Sequence, residues 1–186
     1  MSRFVLLAFA FAALFHASDA AAQDPAFGQL DVATVFWISK SDDKNRVDYG
    51  IRLDSRCAPV KDDAVFQYWR QFEPPGDGTQ THLLGTMEYI PYGISKQRSL
   101  RKTPVGGIHV MKLRQFDKTP IAILTKKEAG GNCSARARAV INGKESEISY
   151  IHVQLIKAGL FPSVDYVDVH GKDLETGADL TERIKK

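Results

Sequence analysis

Cysteine is scarce in this chain. Cys57 and Cys133 are the only two, which excludes a small scaffold held by many disulfides. With 14 glycines and 8 prolines in 186 residues, collagen-like and low-complexity classes are excluded as well. The longest apolar run, Phe4 to Phe15, falls short of the roughly 20 residues that a membrane-spanning helix needs. Catalytic signatures are missing too: there is no nucleophile elbow, phosphate-binding glycine loop or zinc-protease motif. His82, His109, His152 and His170 stand outside metal-ligand spacing of one another and of either cysteine, so no metal site and no cofactor is expected. What remains is ordinary globular composition, 44% hydrophobic and 25% charged, at a length suited to one domain.

The first residues set an expectation about compartment. Arg3 precedes the apolar run, and Ala20-Ala21-Ala22 follows it before polar Gln23-Asp24-Pro25. That order is the pattern of a secretory signal peptide cleaved after Ala22. It implies a signal at 1–22, a lead-in at 23–30, a single β-rich domain at 31–186 and a periplasmic or secreted location. In an oxidising compartment an even pair of cysteines points to one disulfide, Cys57 with Cys133. Two separate thiols remain the alternative, since spacing alone does not bring them together.

Strand signals dominate the rest. Val32 to Ser39 is rich in β-branched and aromatic residues, and Val47, Tyr49, Ile51 and Leu53 alternate with polar neighbours. Val65 to Phe72, Tyr92 to Arg101, Ile108 to Phe116, Ile121 to Lys126 and Val164 to Val169 read as further strands. Ser134 to Ile141 and Glu145 to Lys157 flank Asn142-Gly143, the strongest hairpin signal in the chain. A short helix is expected over Thr81 to Met87, ended by Pro91, and the residues after Glu175-Thr176-Gly177 read as a polar tail. Crossover helices for a parallel sheet are lacking. The expected fold is all-β: a single-domain antiparallel β-sandwich or barrel with eight or nine strands and one short helix.

The net charge of +3 conceals two opposed blocks. From Lys96 to Lys144 twelve cations face only Asp117 and Glu128, a net +10; the rest of the mature chain carries −7. Either the blocks pair across the sheet, or part of the basic block forms a surface for an anionic partner. Lys112 with Arg114, and Arg136 with Arg138, stand two apart and so share a strand face, which makes them the candidate patch. Among the aromatics, Trp69 and Tyr92 are candidate ligand-binding residues, the latter beside Pro91. No catalytic residue is assigned.

Phe36-Trp37-Ile38, the run Asn45 to Leu53, Phe66-Gln67-Tyr68-Trp69-Arg70, Tyr92-Gly93-Ile94 and the stretch from Val164 to Gly177 together resemble the bacterial domain-of-unknown-function family 4833. The resemblance covers roughly residues 31 to 184 and implies a single domain. It implies no activity, cofactor or catalytic residue.

The sequence therefore points to an exported, non-enzymatic β protein that binds an anionic or amphipathic cell-envelope component. A structural or protein-interaction module of the envelope is the alternative, and a cryptic hydrolase stands behind both. Nucleic acid is not an expected partner in that compartment, and the basic block lacks the interleaved aromatics of a single-strand platform.

Overall fold

The computed structural model describes residues 32–41, 43–72, 81–158 and 161–185. The signal and lead-in expected at 1–30 lie outside the described residues. Eleven strands form one sheet. They are β1 (Val32–Lys40), β2 (Arg46–Arg52), β3 (Val65–Arg70), β4 (Thr81–Leu83), β5 (Ile94–Thr103) and β6 (Gly106–Leu113). Then follow β7 (Phe116–Lys127), β8 (Cys133–Ile141), β9 (Lys144–Ala158), β10 (Phe161–Asp173) and β11 (Asp179–Lys185). A single helix, α1 (Thr86–Tyr92), separates β4 from β5.

The order β4-β3-β2-β1-β9-β8-β7-β6-β5 makes two wings that meet on β9, while β10 and β11 continue from its other edge. β9 serves three neighbours because it is long. Its first residues pair with β8 as far as Glu147, and Tyr150 to Val153 then pair with β1. The β1–β9 ladder is parallel, a departure from the all-antiparallel expectation.

The wings curl toward each other around one core that includes Phe36, Ile38, Tyr49 and Ile51 from one side and Met111, Ile121, Ile123 and Ile141 from the other. β4 and β5 end the path without pairing to each other. Side chains close the gap instead. Gln97 on β5 gives and takes hydrogen bonds with the backbone of Val65 on β3, both at 3.0 Å. The Tyr49 hydroxyl donates to the carbonyl of Tyr92, and burial pushes the Tyr49 phenol well above its ordinary pKa, so it stays a donor. Cys57 and Cys133 form a disulfide across a separation of 76 residues, with Cα atoms 5.3 Å apart. Thr125 adds a 2.7 Å hydrogen bond to the Cys57 carbonyl.

Three expectations about elements need correction. Among the described residues the strands number eleven, because Thr81–Leu83 and Asp179–Lys185 also pair. The helix starts later than expected, at Thr86 rather than Thr81: Gly85 is its N-cap, and the Gly85 amide donates to Glu88 Oε2 at 2.7 Å. Pro91 lies inside this helix, which ends one residue later. The strand expected over Ile108 to Phe116 splits at Arg114-Gln115, and Phe116 opens the next strand opposite Leu113.

Bulges explain why faces were hard to read. In β9, Ile148 lies opposite Gly171 and Tyr150 opposite His170, so Ser149 is an extra residue. One extra residue reverses the alternation. Ile148 and Ile151 are both buried in the core, and Tyr150 turns outward. By contrast Asn142 and Gly143 both adopt positive φ, 50° and 78°, as the expected two-residue hairpin requires.

Candidate functional site

Two outer surfaces gather polar chemistry. The first is a groove of about 450 Å³ on the outside of β5 to β8, lined by Arg101, Thr103, Gly107, Ile108, Leu124, Thr125, Lys126, Ser134, Arg136 and Arg138. Register assembles it. Arg101 pairs with Ile108, Ile108 with Leu124, and Leu124 with Arg136, which sets two guanidiniums on either side of an apolar floor. Gly107 is required here: a Cβ would come within 2.7 Å of both the Arg101 carbonyl and the Pro59 ring.

Carboxylates reach only part of this groove. Glu147 pairs with Arg136 at 3.0 Å, and Glu128 pairs with Lys126 at 3.0 Å. Glu128 also accepts from Ser134 Oγ at 2.6 Å; that bond and Lys126 hold its carboxyl below the usual range. Among the described residues no salt bridge reaches Arg101 or Arg138, and Arg138 Nε is buried without a hydrogen-bond partner. Of the twelve cations in the basic block, Lys126, Arg136 and Lys144 have salt bridges among the described residues. Of the seven acids outside the block that form salt bridges among the described residues, five pair with cations outside it, as Asp48 does with Arg46 and Arg70.

The second surface runs across β2, β1, β9, β10 and β11. Asp48, Trp37, Tyr150, His170 and Thr181 occupy one register row. Trp37 stacks on Tyr150 with ring centroids 4.6 Å apart, and Tyr150 stacks on His170 at 4.2 Å. The Arg46 guanidinium lies 5.1 Å from the Trp37 ring and 5.2 Å from the Phe72 ring. Thr181 Oγ1 lies 2.9 Å from His170 Nδ1. The next row holds Ser39, His152, Asp168 and Arg183.

Ser39 Oγ lies 2.9 Å from His152 Nδ1, and Asp168 is opposite His152 in the register, so a serine hydrolase relay has to be considered. A relay needs the carboxylate on the ring nitrogen opposite the serine. Here Arg183 takes both Asp168 oxygens, at 2.8 and 2.7 Å, and holds its carboxyl below the usual range. His152 Nε2 faces Gln154 Oε1 at 3.5 Å instead. The arrangement is a hydrogen-bonded surface network rather than a charge relay. Among the described residues no three His, Cys, Asp or Glu side chains gather as metal ligands.

The residues singled out in the sequence fall in different places. Arg136 and Arg138 share the outer face of β8 and line the groove together. Lys112 lies on β6 in register with Lys96, outside the groove lining. Arg114 sits in the β6–β7 turn with its guanidinium 5.0 Å over the Tyr89 ring. Trp69 and Tyr92 are core residues at 6% and 2% exposure, with ring centroids 6.1 Å apart. Arg101 and Lys126 belong to the groove and were visible only as members of the basic block; cross-strand register is what adds them.

These features define an all-β protein: one curled eleven-stranded sheet, a cross-wing disulfide and a cation-lined outer groove. The profile of the family described as a domain of unknown function (DUF4833) matches residues 36–183, and the chain belongs to that family. No curated protein and no solved structure matches the chain. Among the described residues no helix is long and apolar enough to cross a membrane.

Proposed function

We propose that this is an exported, non-enzymatic binding protein whose groove between Arg101 and Arg138 takes an anionic, partly apolar component of the cell envelope. The observation that carries the reading is Arg138. Its Nε is buried in the wall of an open groove with no partner among the described residues, and a buried unsatisfied donor costs about 1–3 kcal/mol. An anion bound there recovers that cost. Ile108 and Leu124 on the floor suit an apolar portion of the same ligand, and about 450 Å³ lies within the range of small-molecule sites. Export is supported by the charge, apolar run and alanine site at the N-terminus, and by a cystine that an oxidising compartment would maintain.

Titration calorimetry with dihexanoyl phosphatidic acid, and with dihexanoyl phosphatidylcholine as the zwitterionic control, tests the groove. The acid is expected to bind, weakening as salt rises, and Arg136→Glu with Arg138→Glu is expected to abolish binding. Equal binding of both lipids, or binding that survives the double substitution, sinks the reading. A protein-interaction module is the second reading, favoured by β11, which pairs only with β10 and leaves its outer edge unpaired among the described residues. A stoichiometric protein recovered by crosslinking, together with no lipid binding, would favour it.

A further inference from the structure

The segment from β4 through α1 is turned inside out relative to the rest of the molecule. Of the seven residues in α1 only Tyr92 is buried. Its other apolar side chains face solvent: Met87 is 51% exposed, Ile90 50% and Tyr89 39%, with Leu83 on β4 at 58%. Met87 and Ile90 stand three apart and so share one side of the helix.

This exposure is held in place rather than loose. Gln115 Nε2 donates to the Ile90 carbonyl at 3.3 Å, and the Tyr89 hydroxyl donates to the Ile94 carbonyl at 2.8 Å. The Gly93 amide closes the helix on the Tyr89 carbonyl, and the Arg114 amide bonds the Gly93 carbonyl, both at 2.9 Å. Cations lie on the adjoining strand ends, and Arg114 reaches the helix itself. The adjoining ends of β5, β6 and β7 and the turn between the last two carry Lys96, Lys112, Arg114 and Lys118, against Asp117 nearby and Glu88 on the helix itself. Arg114 spreads its guanidinium over the Tyr89 ring, an amphipathic pairing with an apolar body and a charged tip.

We infer that this projection is a membrane-docking element: Leu83, Met87 and Ile90 enter the headgroup–acyl boundary of an anionic bilayer while Arg114 and the neighbouring lysines contact lipid phosphates. Apolar side chains beside a cluster of cations are what peripheral binding to an anionic lipid surface requires. An acidic protein would satisfy the cations but would leave three large aliphatic groups to find a matching apolar pocket; a bilayer accepts them without one. The docking element does not depend on the groove. It lies at the start of β5, whereas Arg101 and Thr103 of the groove lie at its end, roughly 25–30 Å along the strand.

The test is co-sedimentation of the purified full chain with vesicles of phosphatidylcholine mixed with phosphatidylglycerol, and with vesicles of phosphatidylcholine alone. Binding is expected to the mixed vesicles and to be weaker on the neutral ones. Met87→Ser with Ile90→Ser should lower the partition coefficient about tenfold or more. Both positions are solvent-facing, so the variant's unfolding midpoint should match the parent. Arg114→Glu should lower binding to the mixed vesicles selectively. Met87→Ser with Ile90→Ser should leave calorimetric binding of dihexanoyl phosphatidic acid within about twofold, which separates this element from the groove. The inference is overturned if the parent ignores mixed vesicles, or if Met87→Ser with Ile90→Ser binds them as well as the parent does. It is also overturned if that variant instead dissolves a dimer seen by light scattering, which would make the patch a contact between copies.

Discussion

Glu147 stands opposite Arg138 in the β8–β9 register, yet its carboxylate turns along the strand to Arg136 at 3.0 Å. Arg138 is thus left with a buried Nε that has no hydrogen-bond partner among the described residues, two residues from a cation that is neutralised. Placing the unpartnered guanidinium in the groove wall is unfavourable for the empty protein and favourable for one holding an anion. Arg138→Met should therefore stabilise the ligand-free fold, by about 1 kcal/mol, because it removes an unsatisfied donor and keeps the packing stem. The same change should abolish binding of an anionic ligand. Urea unfolding without ligand reads the first effect, and a lower midpoint in the variant would count against it.

The disulfide joins the β2–β3 connection to the first residue of β8, and so ties one wing of the sheet to the other. Closing a loop of 76 residues is worth about 4–5 kcal/mol in the chain-entropy estimate. Cys57→Ala with Cys133→Ala should lower unfolding free energy by about 4 kcal/mol, and a reductant should do the same to the parent but not to the variant. Gln97 to Val65 and Tyr49 to Tyr92 still bridge the wings, so the variant should remain folded in mild conditions. Equal midpoints for oxidised and reduced protein would show that the wings close without the covalent tie.

Local patterns read well from the sequence, and their failures have physical causes. Nine of the eleven strands were expected, because alternation and the Asn142-Gly143 turn are encoded within a few residues. Asp179–Lys185 was read as tail, although Leu180 and Ile184 alternate with exposed Asp179, Thr181, Arg183 and Lys185 as an outer strand should. Thr81–Leu83 is only three residues long and carries no period. The curl lay beyond reach because it rests on contacts between distant segments, Gln97 with Val65 and Cys57 with Cys133. Half of the groove was legible as the Arg136 and Arg138 pair, whereas Arg101 and Lys126 needed the β5–β8 register. Trp69 and Tyr92 illustrate the opposite limit: a polar tip does not reveal whether an aromatic faces a ligand or the core.

Trp37 and Tyr150 stack across the β1–β9 ladder, where one wing is joined to the central strand by parallel pairing. The face-to-face contact reinforces a ladder that is otherwise short. A double-mutant cycle with Trp37→Leu and Tyr150→Leu should return a coupling energy of about 1 kcal/mol, the usual worth of an aromatic pair beyond its burial. Arg46 on the far side of Trp37 should couple to it as well, more weakly and with some sensitivity to salt. Additive single and double losses would mean that the rings are merely adjacent.

His109 gives the fold a dependence on mild acid. Its side chain is fully buried on β6, with ring nitrogens 3.2 Å from Ser99 Oγ and 3.1 Å from Gln97 Oε1. Burial holds the imidazole below its ordinary pKa, against a smaller opposing pull from Asp62 and Asp63. The unfolded chain therefore takes up this proton first as pH falls. The stabilisation is complete above the unfolded value, about 6.5, and is lost as pH drops from there toward the folded value. His170 shifts in the same direction, again chiefly through burial, and adds to the loss. Carboxylates act in a different window. Asp168 is held low by Arg183, and Asp173 by Lys144 down to about 2, so their contributions are constant from pH 7 to pH 5 and fade only below about 4. The urea midpoint of the parent should consequently fall between pH 7 and pH 5. His109→Gln should flatten that fall while leaving the steeper loss below pH 4 in place. A parent midpoint that is level or rising toward pH 5 would contradict a buried neutral His109, and an unchanged slope in the variant would assign the effect to His170.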